Sequence, residues 1–193
     1  CKIGNIIQSI NISKNYDKQE KVIYTPLNLG TQEKQLSKEK ELDENHLHAK
    51  YFGIATHYCL EMMSEFTIEA LQYSLKLAQS RYSNYLSQID FKDIENRVSL
   101  MINNDNFISL IDNAEFITEQ SLIYKEEIKI IDLLLFKEDT YYIIDYKTTK
   151  DRSLEHIAQV AFYKKAIKDI FQTQNVKSYL VYLHPNENFI QEV

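Results

Sequence analysis

Cysteine is almost absent from this 193-residue chain, which has only Cys1 and Cys59. Two thiols cannot hold an iron–sulfur cluster that needs four, nor do they make the disulfide framework of a small secreted domain, so a reducing, cytoplasmic setting is expected. No apolar run approaches the roughly 18 residues that span a bilayer. A soluble chain with no membrane partner follows. Met is missing from the first position and no charged-then-apolar targeting segment comes after it, which suggests a piece of a longer protein whose partner domains are not included. Positive charge is not in excess either: 22 Lys and Arg against 28 Asp and Glu give a net charge of −6. Since phosphate neutralisation supplies most non-specific affinity for nucleic acid, a free-standing DNA binder is disfavoured unless charge is concentrated locally. Lys147, Lys150, Arg152, Lys164, Lys165 and Lys168 form one such concentration, although runs of this kind are usually solvated helix faces.

With 14 Tyr, 9 Phe and plentiful aliphatics, the chain can build one sizeable core. Residues 1–47 read as an N-terminal arm or linker. They contain two short strand-like runs, Asn5 to Ile12 and Lys21 to Pro26, followed by a polar stretch over 29–47 that cannot bury enough apolar surface to order itself. Residues 48–193 read as the main domain. Apolar residues recur at helical spacing from about 48 to 88 (Leu60, Met63, Ile68, Leu71, Leu75), as one long helix or two abutting ones. Shorter amphipathic patterns follow at Asp90 to Met101 and Asn106 to Asp112. Three strands joined by polar turns are then expected at 115–124, 127–136 and 140–147, a helix at Leu154 to Phe171, a strand at Val176 to Leu183, and a last short strand from Asn188. A helical crossover between the strands ending at Lys147 and beginning at Val176 should leave them parallel, so the expected class is α/β with a mixed sheet.

Two acids interrupt strands that otherwise read as buried: Asp132 in Ile130-Ile131-Asp132-Leu133-Leu134-Leu135, and Asp145 in Tyr141-Tyr142-Ile143-Ile144-Asp145. Taking a carboxylate out of water costs several kcal/mol unless it is paired, hydrogen-bonded or metal-bound, so two of them need a common explanation. The polar segment Lys137-Glu138-Asp139-Thr140 has the length of a hairpin loop, which would place the acids on adjacent strands within reach of one ion. Asp oxygens suit hard Mg²⁺, and Lys147, two residues after Asp145, points to the same side of its strand. Acid-x-Lys spacing alone is weak, since about three acid-x-base matches are expected by chance at this composition, and Glu127-Ile128-Lys129 is such a decoy. The strand context is what separates Asp145-Tyr146-Lys147 from it.

Upstream, Gly53-Ile54-Ala55-Thr56-His57 opens a helical pattern; downstream, Gln159-Val160-Ala161-Phe162-Tyr163 lies on the helix after Lys147. The ordered set of Gly-x-x-x-His, strand Asp, Asp-Tyr-Lys-Thr and Gln-x-x-x-Tyr resembles the RecB-type nucleases of the PD-(D/E)xK superfamily. Within that superfamily it is most similar to the C-terminal nuclease domain of AddA- or RecB-type helicase-nucleases, which process double-strand DNA ends. The resemblance covers roughly residues 50 to 183. It implies a restriction-endonuclease-like mixed sheet with flanking helices and a Mg²⁺- or Mn²⁺-dependent deoxyribonuclease. It also implies DNA as substrate, an attached helicase domain and a partner subunit. By the same resemblance His57, Asp132, Asp145 and the Tyr146 carbonyl would ligate metal, and Asp132, Asp145 and Lys147 would be catalytic. Gln159 and Tyr163 would sit on the active-site helix in contact with DNA, and Glu119 would match a further family acid. One departure is Lys129, at a place where many relatives have Gly.

Each residue also has a plainer reading. A helical His is more often solvated or satisfied in a core than a ligand, and Gln159 with Tyr163, four apart, could be an exposed amide stacked on a half-buried ring. His46, His48, His156 and His184 have no ligand spacing and are left unassigned. Two rival functions stand beside the helicase-linked nuclease. One is a non-catalytic DNA-binding scaffold with an inactivated nuclease fold; the other is a stand-alone PD-(D/E)xK endonuclease. If His57 is a ligand with an ordinary imidazole pKa, metal affinity should weaken as pH falls through roughly 6.

Overall fold

The computed structural model describes residues 44–149 and 153–193. The two N-terminal strand-like runs, Lys150 and Arg152 lie outside the described residues. Helix α1 (Glu44–Glu61) begins four residues before the expected domain boundary at 48. The helical pattern beyond it is two helices and not one, because α2 (Ile68–Tyr82) starts afresh at Thr67. That residue is extended and its side chain accepts a hydrogen bond from the Ala70 N–H at 3.2 Å. Helix α3 (Gln88–Ile102) opens on a capping box in which Ser87 and Asp90 satisfy each other's backbone N–H groups. Helix α4 (Asp105–Ile111) is capped by the Asn104 side chain.

Strands β1 (Glu115–Tyr124), β2 (Glu127–Lys137) and β3 (Thr140–Lys147) form an antiparallel meander. Both turns have two residues at positive φ: Lys125 and Glu126 at 50° and 65°, Glu138 and Asp139 at 48° and 57°. That geometry matches the twist of paired strands, and here it is adopted without glycine. Helix α5 (Leu154–Phe171) carries the chain back so that β4 (Val176–Leu183) pairs parallel with β3, and β5 (Asn188–Glu192) closes the edge antiparallel. The result is an α/β fold with a five-stranded mixed sheet in the order β1-β2-β3-β4-β5.

Helices flank both faces. Leu133, Leu135, Ile144, Tyr146, Val181 and Leu183 join the core built by α1–α4, while Leu134, Tyr141, Ile143 and Val176 pack with Tyr163, Ala166 and Ile167 of α5. Burial on both sides is why β2 and β3 read as continuous apolar runs and not as alternating ones. Among the described residues, no helix is long and apolar enough to cross a membrane.

Candidate metal centre

The β2–β3 ladder runs from Lys137↔Thr140 to Leu133↔Ile144 and then stops. The next two residues across are Asp132 and Asp145, buried at 4 % and 1 % exposure. Beyond the last rung, the Tyr146 N–H donates to Asp132 Oδ2 at 2.8 Å, so a side-chain carboxylate accepts where a neighbouring strand's carbonyl would have. On its other side β2 is interrupted at the same residue. The β1–β2 register passes from Thr118↔Leu133 to Gln120↔Ile131 and omits the pair Glu119 and Asp132, and Glu119 takes a left-handed φ of 49°. Both strands turn over there. Leu133 and Leu135 face the α1–α4 core, whereas Ile131 and Leu122 join the opposite one. Paired irregularities of this kind re-aim side chains, and non-glycine residues held at positive φ concentrate at functional sites.

Helix α1 reaches this point because of Gly53. A Cβ on Gly53 would lie 3.3 Å from Thr148 Oγ1, just past the end of β3, so the bare Cα allows a close approach. One turn later His57 Nδ1 lies 3.5 Å from Asp132 Oδ1. His57, Glu119 and Asp132 each offer a ligand atom within 4.8 Å of the others. This compact trio differs from the expected His57, Asp132 and Asp145: Glu119 enters it, and Asp145 stands beside it on β3. The sequence held a signal for Glu119. Counting back from the two-residue turn at Lys125 and Glu126 puts Glu119 directly across from Asp132.

The charges are strongly coupled. Burial alone would lower the His57 pKa, but the Asp132 carboxylate outweighs it and raises the imidazole from 6.5 to about 9. Burial acts to raise Asp132; the His57 charge, the Tyr146 N–H and Lys147 more than offset it, and the carboxyl is held below its ordinary range. Asp145 is pushed from 3.8 to about 7, first by burial and then by repulsion from Asp132, with Lys147 opposing. Glu119 rises from 4.5 to about 7 for the same two reasons.

The third part of the site is on α5. The Lys147 ammonium lies 2.6 Å from Asp145 Oδ2 and donates to Gln159 Oε1 at 3.1 Å. Gln159 Nε2 in turn donates to the Tyr163 hydroxyl at 2.8 Å. Tyr163 is 2 % exposed, so the reading of an exposed amide on a half-buried ring does not describe this pair. The other histidines stay apart from the centre: His48 pairs with Asp90 at 3.0 Å, and His156 meets the Tyr182 hydroxyl at 3.4 Å. Of the basic run, Lys164 is engaged with the Val193 carbonyl at 2.9 Å.

Four buried polar atoms have no hydrogen-bond partner, and all are here: His57 Nδ1, both Asp145 carboxylate oxygens and the Tyr146 hydroxyl. The Lys147 contact to Asp145 is thus one of charge. Leaving such atoms unsatisfied costs on the order of 1–3 kcal/mol each. Carboxylate oxygens with one imidazole nitrogen are donors that fit a small hard or borderline divalent cation, and bringing one in would satisfy the groups the chain leaves open. Among the described residues, no other group of three such donors comes as close.

No family model matches the chain, and no curated protein matches it. Among solved structures, the crystal structure of SSO0001 is similar at a TM-score of 0.34 and 14 % identity, over 72 % of this chain and 65 % of that one. The chain thus spans under two thirds of the length of that structure.

Proposed function

We propose that the protein is a Mg²⁺- or Mn²⁺-dependent deoxyribonuclease of restriction-endonuclease-like fold, acting as the nuclease part of a helicase-nuclease that processes DNA ends. The observation that carries this reading is the buried pair Asp132 and Asp145 at the open end of the β2–β3 ladder, with Asp145 lacking any hydrogen-bond donor and Lys147 beside it. His57, Glu119, Asp132, Asp145 and the Tyr146 carbonyl would hold the ion. Bound there, a divalent cation supplies Lewis-acid activation of water and neutralises phosphate charge.

The chain's own groups do the rest. Asp132 keeps His57 turned towards the cluster, and its other oxygen is fixed by the Tyr146 N–H, so the carboxylate cannot rotate away. Lys147 places a fixed positive charge where a phosphate gains negative charge on the way to the pentavalent state. Residues beyond the site add little attraction for DNA, since the net charge is −6; strand delivery falls to an attached motor and a partner subunit.

The test is end-labelled linear duplex and single-stranded DNA incubated with the purified chain in Mg²⁺, Mn²⁺ or a chelator. Cleavage in either metal, abolished by the chelator and by Asp145→Ala, is expected. No cleavage of either substrate, together with an unchanged melting temperature in millimolar Mn²⁺, overturns the proposal.

A further inference from the structure

Lys147 has two neighbours that compete for it. Asp145 Oδ2 is 2.6 Å from its ammonium and Gln159 Oε1 is 3.1 Å away. In a buried setting a lysine and an aspartate left to themselves close into a tight pair, with the ammonium shared between both oxygens. Such a pair would neutralise Asp145 and fill the place of any other cation. Here the ammonium is held to one side, against Oδ2, and Asp145 Oδ1 is left without a partner.

Chemistry fixes which way the Gln159 amide must face. An ammonium only donates, so the amide oxygen turns to Lys147 and the NH₂ group is left needing an acceptor. Tyr163 provides it through its hydroxyl oxygen at 2.8 Å. Gln159 and Tyr163 are one helical turn apart on α5, so the phenol and the amide are set by the same backbone. Tyr163 is itself locked in the core on that face of the sheet.

We infer that Gln159, with its orientation set by Tyr163, is a positioning residue that tethers Lys147 away from Asp145 and keeps one Asp145 oxygen open for a cation. This rests on the nuclease reading for its purpose but not for its geometry. A neutral acceptor suits the task. An apolar residue would release Lys147 onto Asp145, and a carboxylate would capture it outright.

The experiment uses the full chain with Gln159→Leu, Gln159→Glu and Tyr163→Phe, and three readouts. The first is the Lys147 ammonium signal in ¹⁵N-lysine NMR of the metal-free protein, which should shift clearly in Gln159→Leu and by less in Tyr163→Phe. The second is Mn²⁺ binding by calorimetry. Gln159→Leu should weaken it by about tenfold, the scale of losing a contact that orients a ligand, while Gln159→Glu should bind at least as well as the native protein. The third is DNA cleavage: kcat should fall in Gln159→Leu and Gln159→Glu alike, with KM for DNA unchanged. A merely structural role for Gln159 would lower the melting temperature of both variants without separating their Mn²⁺ affinities. An unmoved Lys147 signal in Gln159→Leu, or native Mn²⁺ affinity in that variant, overturns the inference. If the native chain binds no Mn²⁺ and cuts no DNA while the Lys147 signal still moves as stated, the nuclease reading fails and the tether stands.

Discussion

Strands β2 and β3 have two ends that obey different rules. Towards their hairpin, five successive pairs from Lys137↔Thr140 to Leu133↔Ile144 form a regular ladder, and Leu133, Leu134, Leu135, Ile143 and Ile144 are fully buried among apolar neighbours. One step further the ladder ends, and the same depth of burial holds Asp132, Asp145 and the orphaned atoms of His57 and Tyr146. Equal burial therefore has opposite energetic meaning at the two ends. At one it removes apolar surface from water, and at the other it strips water from charge. The chain tolerates the second end because the first holds the strands in place.

The sharpest way to separate the ends is by what their loss changes. Asp145→Ala should abolish cleavage and metal-dependent stabilisation with the fold intact. Lys147→Ala should reduce cleavage by about a hundredfold to a thousandfold, the scale of one lost charge-stabilising group, while keeping metal binding. Single-turnover rates and melting curves with Mn²⁺ check both. Lys147→Ala cutting at the native rate would remove that residue from the mechanism.

The ladder end should respond the other way. Leu135→Ala deletes a fully buried side chain and should cost about 2–5 kcal/mol in denaturant titration. Mn²⁺ affinity of the folded variant should stay native. A metal defect in that variant would mean the two ends are not separable.

A smaller effect concerns pH. Asp145 and Glu119 both rise to about 7 in the folded state from 3.8 and 4.5, so their protonated forms are favoured by folding. Their contribution is present below about 4 and is lost as pH rises through about 7; that of His57, raised from 6.5 to about 9, is lost as pH rises through about 9. Asp132, held low, acts in the opposite sense and is lost only in acid. The metal-free protein should consequently lose stability between about pH 4 and 9, and Asp145→Asn should flatten the lower part of that curve. Metal binding must displace the His57 proton, so affinity should keep rising with pH towards about 9, later than the rise near 6 that an ordinary imidazole predicts. A plateau above pH 7 in Mn²⁺ calorimetry would show that His57 is not a ligand.

The least effect is expected at Gly53. Gly53→Ala gains up to about 1 kcal/mol of helix propensity, against a Cβ 3.3 Å from Thr148 Oγ1 that has to be accommodated by a few tenths of an ångström. Stability should hardly change. His57 should move with α1, so a several-fold loss of Mn²⁺ affinity is the discriminating readout.

Much of this architecture was legible beforehand. The bounds of β1, β3, α5 and β4 coincide with the expected ones, because period-two runs and a period-3.6 run flanked by polar turns leave little choice. The break between α1 and α2 was not resolved by periodicity, since Leu60, Met63 and Ile68 keep a helical spacing across it and only the Thr67 cap marks the restart. Asp132, Asp145 and Lys147 were visible as charges in apolar strands, and their places on adjacent strands followed from hairpin length. The turning-over of β1 and β2 at Glu119 and Asp132 was not, because it is a backbone event that leaves the register of the flanking pairs unchanged.

The amino-acid sequence by itself determined the order of elements, the mixed sheet and the burial of two acids, since these follow from local periodicity, turn length and the handedness of a crossover. Only the tertiary structure decided which donors converge. His57 arrives on a helix admitted by a missing Cβ, Glu119 is turned inwards by a left-handed residue, and Lys147 is held off Asp145 by an amide twelve residues downstream. Each of these depends on a close approach between elements distant in the chain, where distances of 3 to 4 Å are set by packing, and no pattern in the residues alone specifies them.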